Sequence, residues 1–268
     1  MEFRDVILNT KRRIIKNPLK LVDKKYQIDF QDLEEKAKLE KSKALIICNP
    51  HNPVGRVWSK EELEQVVRIC KKNDLLLISD EIHKDIILFN NKYTSVLDFR
   101  SDYEKIVVCT SEAKTFNLCG IADSMVIVPN ESIKNSMSNT FKKNNLGRTN
   151  ALTRIALEAA YNDGKYWLNE VLKTVEENVK TIERELENSK IELIKPEGTY
   201  QVWLDFRKVF NDTKEMFNHI TENSGIGLNA GHWFGREGAL FMRMNIATSN
   251  EKVTDAIKRI IKAVPDKV

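Results

Sequence analysis

The feature that most constrains the fold is a regular alternation of short apolar runs and amphipathic helical segments, which begins at Lys43. The apolar runs have the length of buried strands and lie at residues 44–48, 75–78, 106–109 and 125–128. Between the first two runs, Ser59 and Glu62 form an S-x-x-E capping box, which predicts a helix that starts near Lys60. This alternation is typical of a three-layer α/β architecture with a mostly parallel sheet and helices on both faces.

A second, smaller domain is predicted after a long helix. Apolar residues recur every three or four positions from Leu168 to Leu186, and the length of this helix indicates a connector between two domains. Beyond it, strand-like runs alternate with two helical segments, which predicts an α+β domain. We therefore expect the remainder of a large domain in residues 1–165, the connecting helix in 166–189 and the small domain in 190–268.

Composition excludes several classes of protein. With 41% hydrophobic and 31% charged residues, the chain is too apolar and too balanced to be disordered. No apolar run approaches the roughly 18–20 residues of a membrane span, and the first residues do not form a secretory signal. The net charge of +4 is small, and the basic stretch at residues 11–25 belongs to no nucleic-acid motif, so we interpret it as a solvated or partner-facing surface. The four cysteines lack a C-x-x-C pair, so we expect a cytoplasmic protein. Since the sequence has neither an apolar span nor a nucleic-acid motif, we expect no membrane or nucleic-acid partner.

Three polar segments directly follow predicted strands: N-P-H-N-P-V-G at residues 49–55, S-D-E-I-H at 79–83 and T-S-E-A-K-T-F-N at 110–117. Ligand-binding loops lie at this edge of an open α/β sheet, so Asp80 and Lys114 are candidate functional residues. Each segment alone is weak evidence, because a structural proline turn, a capping aspartate and a surface lysine are all common.

A fourth candidate is Arg243, in the strand-like run F-M-R-M-N-I. Strand alternation puts Arg243 and Asn245 on one face of the strand and the apolar residues Met242, Met244 and Ile246 on the other. The arginine is either a clamp for a carboxylate or a member of a surface ion pair.

Taken in chain order, the three segments and the late arginine resemble the pyridoxal-phosphate enzymes of the aspartate aminotransferase fold, the class I/II aminotransferase family. The sequences N-P-H-N-P-x-G and S-D-E-I-H are similar to the cystathionine β-lyase-like C–S lyase branch of that family. The resemblance extends over essentially the whole chain. It implies a large cofactor-binding domain, a small C-terminal domain and pyridoxal 5'-phosphate as the cofactor.

The resemblance also implies a role for each motif residue. Lys114 would form the Schiff base with the cofactor aldehyde, and Asp80 would pair with the pyridine nitrogen. Asn52 would hydrogen-bond the phenolic oxygen of the ring, and Ser111 would contact the phosphate. His83 stands where aminotransferases of this fold usually carry a tyrosine, in contact with the cofactor.

On the substrate side, Arg243 would bind the α-carboxylate in a bidentate fork, and residues 197–200 resemble the substrate-side turn of the family. Ala122 stands where many relatives have a polar or basic residue near the phosphate. In the family, a substantial segment precedes the region that begins near Met1. We therefore expect an N-terminally truncated member with an incomplete large domain.

The implied activity is β-elimination from a small sulfur amino acid such as cystathionine or cysteine, which gives pyruvate, ammonia and a thiol without a metal ion. We expect the N-terminal truncation to impair this activity. An aminotransferase of the same fold is the alternative, because it shares the removal of the α-proton. A non-catalytic remnant is a third interpretation, motivated by the expected truncation. The resemblance also implies a homodimer.

Overall fold

The computed structural model describes residues 2–121, 124–147 and 150–265. Contacts within the chain divide it into two units. The central unit comprises residues 30–51 and 56–170, and the C-terminal unit comprises the described parts of 1–29, 52–55 and 171–268. The three-part division expected from the sequence stays a prediction.

The described helices are, in chain order, α1 (Glu2–Asn9), α2 (Phe30–Ala37), α3 (Lys60–Lys72), α4 (Glu112–Thr115), α5 (Glu131–Lys143), α6 (Ala151–Asp163), α7 (Lys165–Leu186), α8 (Thr213–Ser224) and α9 (Asn250–Lys262). The described strands are β1 (Lys20–Val22), β2 (Lys25–Gln27), β3 (Ala44–Cys48), β4 (Leu76–Asp80), β5 (Ile106–Thr110), β6 (Met125–Ile127), β7 (Glu192–Ile194), β8 (Gln201–Asp205), β9 (Asn229–Ala230) and β10 (Phe241–Asn245). The apolar runs at residues 44–48, 75–78, 106–109 and 125–128 therefore each form a strand.

In the central unit, the described strands form a sheet in the order β3-β4-β5-β6. The first three are parallel, which confirms the mostly parallel sheet, and the register pairs Asp80 with Cys48 and Cys109. Their carboxyl ends therefore lie at one edge. By contrast, β6 runs antiparallel to β5. The connection from β5 to β6 contains α4, a helix of four residues and about 6 Å, rather than the longer helix that usually joins parallel strands.

Two helices confirm predictions from the sequence: α3 begins with the predicted capping box, and α7 has the predicted apolar face. The N-terminus of α3 carries the capping box, in which Ser59 Oγ accepts from Glu62 N (3.2 Å) and a Glu62 carboxylate oxygen accepts from Ser59 N (2.8 Å). The long helix α7 buries Val175, Val179 and Ile182 at helical spacing. None of the helices in the described ranges is both long and apolar enough to cross a membrane.

In the C-terminal unit, the antiparallel sheet has the strand order β7-β8-β10-β9. The register pairs Arg243 of β10 with Trp203 of β8 on one side and with Asn229 of β9 on the other. Directly paired residues share a face of an antiparallel sheet, so these three side chains lie on the same face. On that face Trp203 stacks on Phe241, with their ring centroids 5.4 Å apart.

The basic stretch near the N-terminus forms ion pairs inside the C-terminal unit. The N-terminal part of this unit also contains α1 and the antiparallel hairpin β1–β2, which sequence analysis did not predict. Within it, Lys20, Lys24 and Lys25 lie 2.6–3.0 Å from carboxylate oxygens of the same unit. Such exposed pairs contribute little to stability, typically about 0–1 kcal/mol each. They do balance the local charge that the sequence shows as a basic run.

Gly55 is predicted to be intolerant of a side chain. Its φ is +73°, and an added Cβ would lie 2.6 Å from Pro196 Cβ and 2.7 Å from Pro196 Cα. Its carbonyl also accepts hydrogen bonds from Glu197 N and Gly198 N, so the backbone has little freedom to move. Gly55→Ala should lower the free energy of unfolding by about 2–4 kcal/mol, from left-handed backbone strain and overpacking together.

Urea unfolding followed by circular dichroism measures this effect. The matched control is Gly227→Ala in the same unit, where an added Cβ meets no atom within 4 Å. This control should change stability by no more than about 0.5 kcal/mol. Equal effects of the two substitutions would show that the contact between Gly55 and Pro196 does not constrain the loop.

Candidate functional site

Asp80 ends strand β4 at the carboxyl edge of the parallel sheet. Its side chain is half-buried, and Oδ1 accepts a hydrogen bond from Ile82 N at 3.1 Å. The backbone is fixed from both sides, because Asp80 O accepts from Asn49 N (2.9 Å) and Glu81 N donates to Cys109 O (2.7 Å). The aspartate therefore makes the capping turn considered from the sequence and also presents a carboxylate at the ligand-binding edge of the sheet.

Glu81, the next residue, is a buried carboxylate whose importance the sequence did not reveal. It is 1% exposed and accepts hydrogen bonds from Ser79 Oγ (2.9 Å), Ser95 Oγ (2.7 Å), Val96 N (3.1 Å) and Tyr93 OH. Burial, and then the Glu81 carboxylate, raise the pKa of Tyr93 well above its usual value, so the phenol stays a donor. The only signal for Glu81 was its place inside the S-D-E-I-H motif.

His83 lies in the segment that follows, and it is 2% exposed. Its carbonyl accepts a hydrogen bond from Ile86 N, so the chain turns directly after the strand end. A histidine this deeply buried belongs to the interior of the central unit rather than to its solvated surface.

Ser111 and Lys114 lie on the short helix α4, which follows β5 at the same sheet edge. Ser111 is the N-cap, since its Oγ accepts from Ala113 N at 3.1 Å. Lys114 is half-buried, with its Nζ 3.6 Å from Cys119 Sγ. The helix is tied to the rest of the unit through Thr115 Oγ1, which donates to Asp85 Oδ2 at 2.9 Å. The parallel register therefore brings Asp80, Ser111 and Lys114 to one edge, as expected.

Thr110 provides an unsatisfied polar atom at this edge. It is the last residue of β5 and is 2% exposed. Among the described residues, its Oγ1 has no hydrogen-bond partner. Because buried hydroxyls are nearly always hydrogen-bonded, this atom is suited to contact a bound polar group.

The two asparagines of the N-P-H-N-P-V-G loop have different roles. Asn49 is fully buried in the central unit, where its Nδ2 donates to Thr94 O (2.9 Å) and its Oδ1 accepts from Trp58 N (3.1 Å). Asn49 therefore supports the loop. Asn52 belongs to the C-terminal unit, and its Oδ1 accepts from Arg243 Nη1 at 3.1 Å. The structure thus brings two of the predicted site residues, Asn52 and Arg243, into contact.

Arg243 is held on three sides within the C-terminal unit. Besides Asn52, Asn229 Oδ1 accepts from both Nε (3.2 Å) and Nη2 (2.7 Å). The guanidinium carbon lies 4.7 Å from the centroid of the Phe234 ring. These two amide partners are neutral, so they orient the guanidinium without cancelling its positive charge. The arrangement suits recognition of an anionic group such as a carboxylate.

The substrate-side turn at residues 197–200 also lies in the C-terminal unit. Thr199 adopts a left-handed φ of +68° and is fully buried, and its Oγ1 accepts from Gln201 N at 3.1 Å. This hydroxyl stabilises the turn that leads into β8. The expectation about Ala122 falls on a residue outside the described ranges.

The geometry agrees with a comparison against protein families. The model for aminotransferase class I and II matches residues 8–260. The chain belongs to this family. Its members are pyridoxal-phosphate-dependent enzymes that include lyases and aminotransferases. The expected fold is thereby confirmed, and pyridoxal phosphate, which the resemblance implies, is the cofactor of the family.

Individual relatives represent both activities. Cystathionine beta-lyase PatB from Bacillus subtilis is 35% identical over 98% of this chain and 68% of its own length. The structure of cystalysin from Treponema denticola, which contains pyridoxal 5'-phosphate, has 34% identity and a TM-score of 0.94 over 97% of this chain and 67% of that chain. Aspartate aminotransferase from Thermotoga maritima is 27% identical over 89% of this chain and 60% of its own length. The chain thus spans 60–68% of the length of these relatives.

The residues at the sheet edge of the central unit fit the family's cofactor. Lys114 offers an amine for the aldehyde, Asp80 a carboxylate for the pyridine nitrogen, and Ser111 a hydroxyl for the phosphate. The unsatisfied Oγ1 of Thr110 adds a buried polar atom at the same edge. This donor set is the chemistry that pyridoxal phosphate requires.

Proposed function

We propose that the protein is a C–S β-lyase that acts on a small sulfur amino acid, such as cystathionine or cysteine, and releases pyruvate, ammonia and a thiol. The observation that carries the lyase over an aminotransferase is His83, buried three residues after Asp80, where aminotransferases of this fold usually carry a tyrosine. The 35% identity to a cystathionine β-lyase supports the same choice.

Each site residue contributes one step to this chemistry. Arg243 binds the α-carboxylate of the amino acid through charge-assisted hydrogen bonds, each worth about 1.5–3 kcal/mol. Pyridoxal phosphate, when bound, withdraws electrons from the α-carbon. The amine of Lys114 removes the α-proton, and Asp80 would stabilise positive charge at the pyridine nitrogen with its carboxylate. The electron pair left at the α-carbon forms a Cα–Cβ double bond as the Cβ–S bond breaks, and the protonated Lys114 amine can return its proton to the leaving thiolate. Water then hydrolyses the resulting enamine to pyruvate and ammonia.

The roles of Asn52 and Ser111 are part of the same proposal. Asn52 has an amide that can donate to the phenolic oxygen while its Oδ1 accepts from Arg243. Ser111 lies three residues before Lys114 in the loop that would hold the phosphate. The protein is further proposed to work as a homodimer, as the resemblance implies.

The aminotransferase is retained as a second candidate, because the matched family and the Thermotoga maritima relative both carry that activity in their names. It shares the first proton transfer and differs in where the proton goes next. Loss of the β-substituent indicates the lyase, whereas return of the proton to the cofactor indicates amino transfer.

Product analysis of the protein with pyridoxal phosphate and cystathionine tests the proposal. The lyase is expected to release pyruvate in the absence of a keto acid, with Lys114→Ala protein as the blank. Product that forms only when a keto acid is added would instead support the aminotransferase. A protein that acquires no cofactor absorbance and forms neither product would be a non-catalytic remnant.

A further inference from the structure

Asn229 lies directly across from Arg243 in the antiparallel register of β9 and β10. We propose that Asn229 is a positioning residue that aims the guanidinium of Arg243 at the α-carboxylate of the substrate without placing a negative charge beside it. The inference rests on the proposed function only in so far as Arg243 binds a carboxylate. It assigns a role to a residue that sequence analysis did not select and that lies in a strand of only two residues.

The hydrogen bonds around Arg243 determine the orientation of its guanidinium plane. A single oxygen, Asn229 Oδ1, accepts from Nε and Nη2 of Arg243, which are the two donors along one edge of the guanidinium plane. Two bonds to one edge fix the rotation of the side chain about its last torsion. Asn52 Oδ1 accepts from Nη1, and Phe234 covers one face at 4.7 Å. The orientation of the guanidinium is therefore determined before any ligand arrives.

Another arginine of the same unit, Arg207, has surroundings that resemble those of Arg243. Arg207 also lies over a phenylalanine, Phe241, at 4.9 Å, and it also uses Nε and Nη2 along one edge. Its partner is the carboxylate of Asp205, at 2.7–3.0 Å. The two sites thus share a phenylalanine and an acceptor along the Nε–Nη2 edge. They differ in that the acceptor is a carboxylate for Arg207 and an amide for Arg243, and Arg243 also bonds Asn52.

The difference between the two partners determines what each arginine can do. The Asp205 carboxylate neutralises Arg207, which makes that pair a structural contact. The Asn229 amide accepts from the same two donors without a negative charge of its own, so it orients Arg243 without repelling an approaching anion. An amide at position 229 is therefore the chemical feature that separates a ligand-binding arginine from a structural one in this unit.

Asn229→Asp tests this role, because it places a carboxylate along the edge of Arg243 that corresponds to the edge of Arg207 occupied by Asp205. The ligands are L-methionine, whose sulfur is not on the β-carbon, and L-methioninamide, which lacks the carboxylate. Calorimetry on the cofactor-loaded protein should show the dissociation constant for L-methionine rising roughly ten- to hundredfold in the variant. The constant for L-methioninamide should change less than about twofold.

Two further variants support the measurement. Asn223→Asp adds the same charge on the exposed surface of α8 in the same unit, where the native amide donates to His219 O, and it should leave both constants unchanged. Asn229→Leu removes the acceptor without adding a charge. It should weaken L-methionine binding by a smaller factor than Asn229→Asp, and it should broaden the Arg243 Nε–H signal in nitrogen-15 NMR. That signal reports orientation of the side chain directly, in the protein without cofactor.

Several outcomes would overturn the inference: unchanged L-methionine binding by Asn229→Asp, equal losses for both ligands, or no measurable L-methionine binding by the unmodified protein. Selective loss for L-methionine in a protein that releases no pyruvate would leave the inference standing and reject the lyase. The two proposals therefore fail separately.

Discussion

Lys114→Ala should eliminate covalent attachment of pyridoxal phosphate to the protein, as detected by borohydride reduction and peptide mapping. Lys114 follows β5 on α4, three residues after the N-cap Ser111, and its amine is half-buried at the sheet edge. An alanine offers no nucleophile for the aldehyde. Pyruvate release should fall by roughly 10²–10⁴-fold from the lost proton transfer alone. This is the largest effect on activity that we expect from any single substitution.

Lys114→Arg and Lys84→Ala are the matched variants. Arginine keeps the positive charge but stays protonated, so it should be as inactive as alanine. Lys84 belongs to the same unit and is also half-buried, and its removal should leave the attachment intact. A reduced adduct on any lysine other than Lys114 in the unmodified protein would contradict the assignment.

The positions of the strands were predictable because the pattern of apolar residues along the sequence reflects which side chains are buried. The runs at 44–48 and 106–109 became β3 and β5 with ends that agree within one residue. The capping box placed the start of α3 at Lys60, since its two hydrogen bonds depend only on residues three apart. Local signals of this kind are complete within a short stretch of sequence, so no knowledge of the rest of the fold is needed.

Long-range contacts could not be predicted in the same way. The bonds from Arg243 to Asn52 and Asn229 join residues far apart in the sequence, and nothing in the local pattern of either asparagine indicates them. The antiparallel direction of β6 is likewise not indicated by its own residues. The motif resemblance therefore supplied candidate site residues, including Asn52, whereas the contacts that orient Arg243 required the structure.

Glu81 illustrates this difference and leads to the largest stability effect that we expect. It lies inside a recognised motif, yet its partners Tyr93, Ser95 and Val96 come from a segment that carries no motif. The carboxylate joins the end of β4 to that segment, and Glu81 N is itself bonded to β5. The network therefore supports the backbone on which Asp80 sits.

Glu81→Leu, which removes the acceptor but keeps a side chain of similar size, should lower the free energy of unfolding by about 3–5 kcal/mol. Several buried donors would lose their partner together, at about 1–3 kcal/mol for each one left unsatisfied. Glu81→Gln should cost less, because one oxygen remains as an acceptor. Urea unfolding measures both variants against Glu64→Gln on the exposed face of α3, which should stay within about 0.5 kcal/mol of the unmodified protein. A Glu81→Leu protein that unfolds at the same urea concentration as the control would show that the four bonds do not stabilise this strand end.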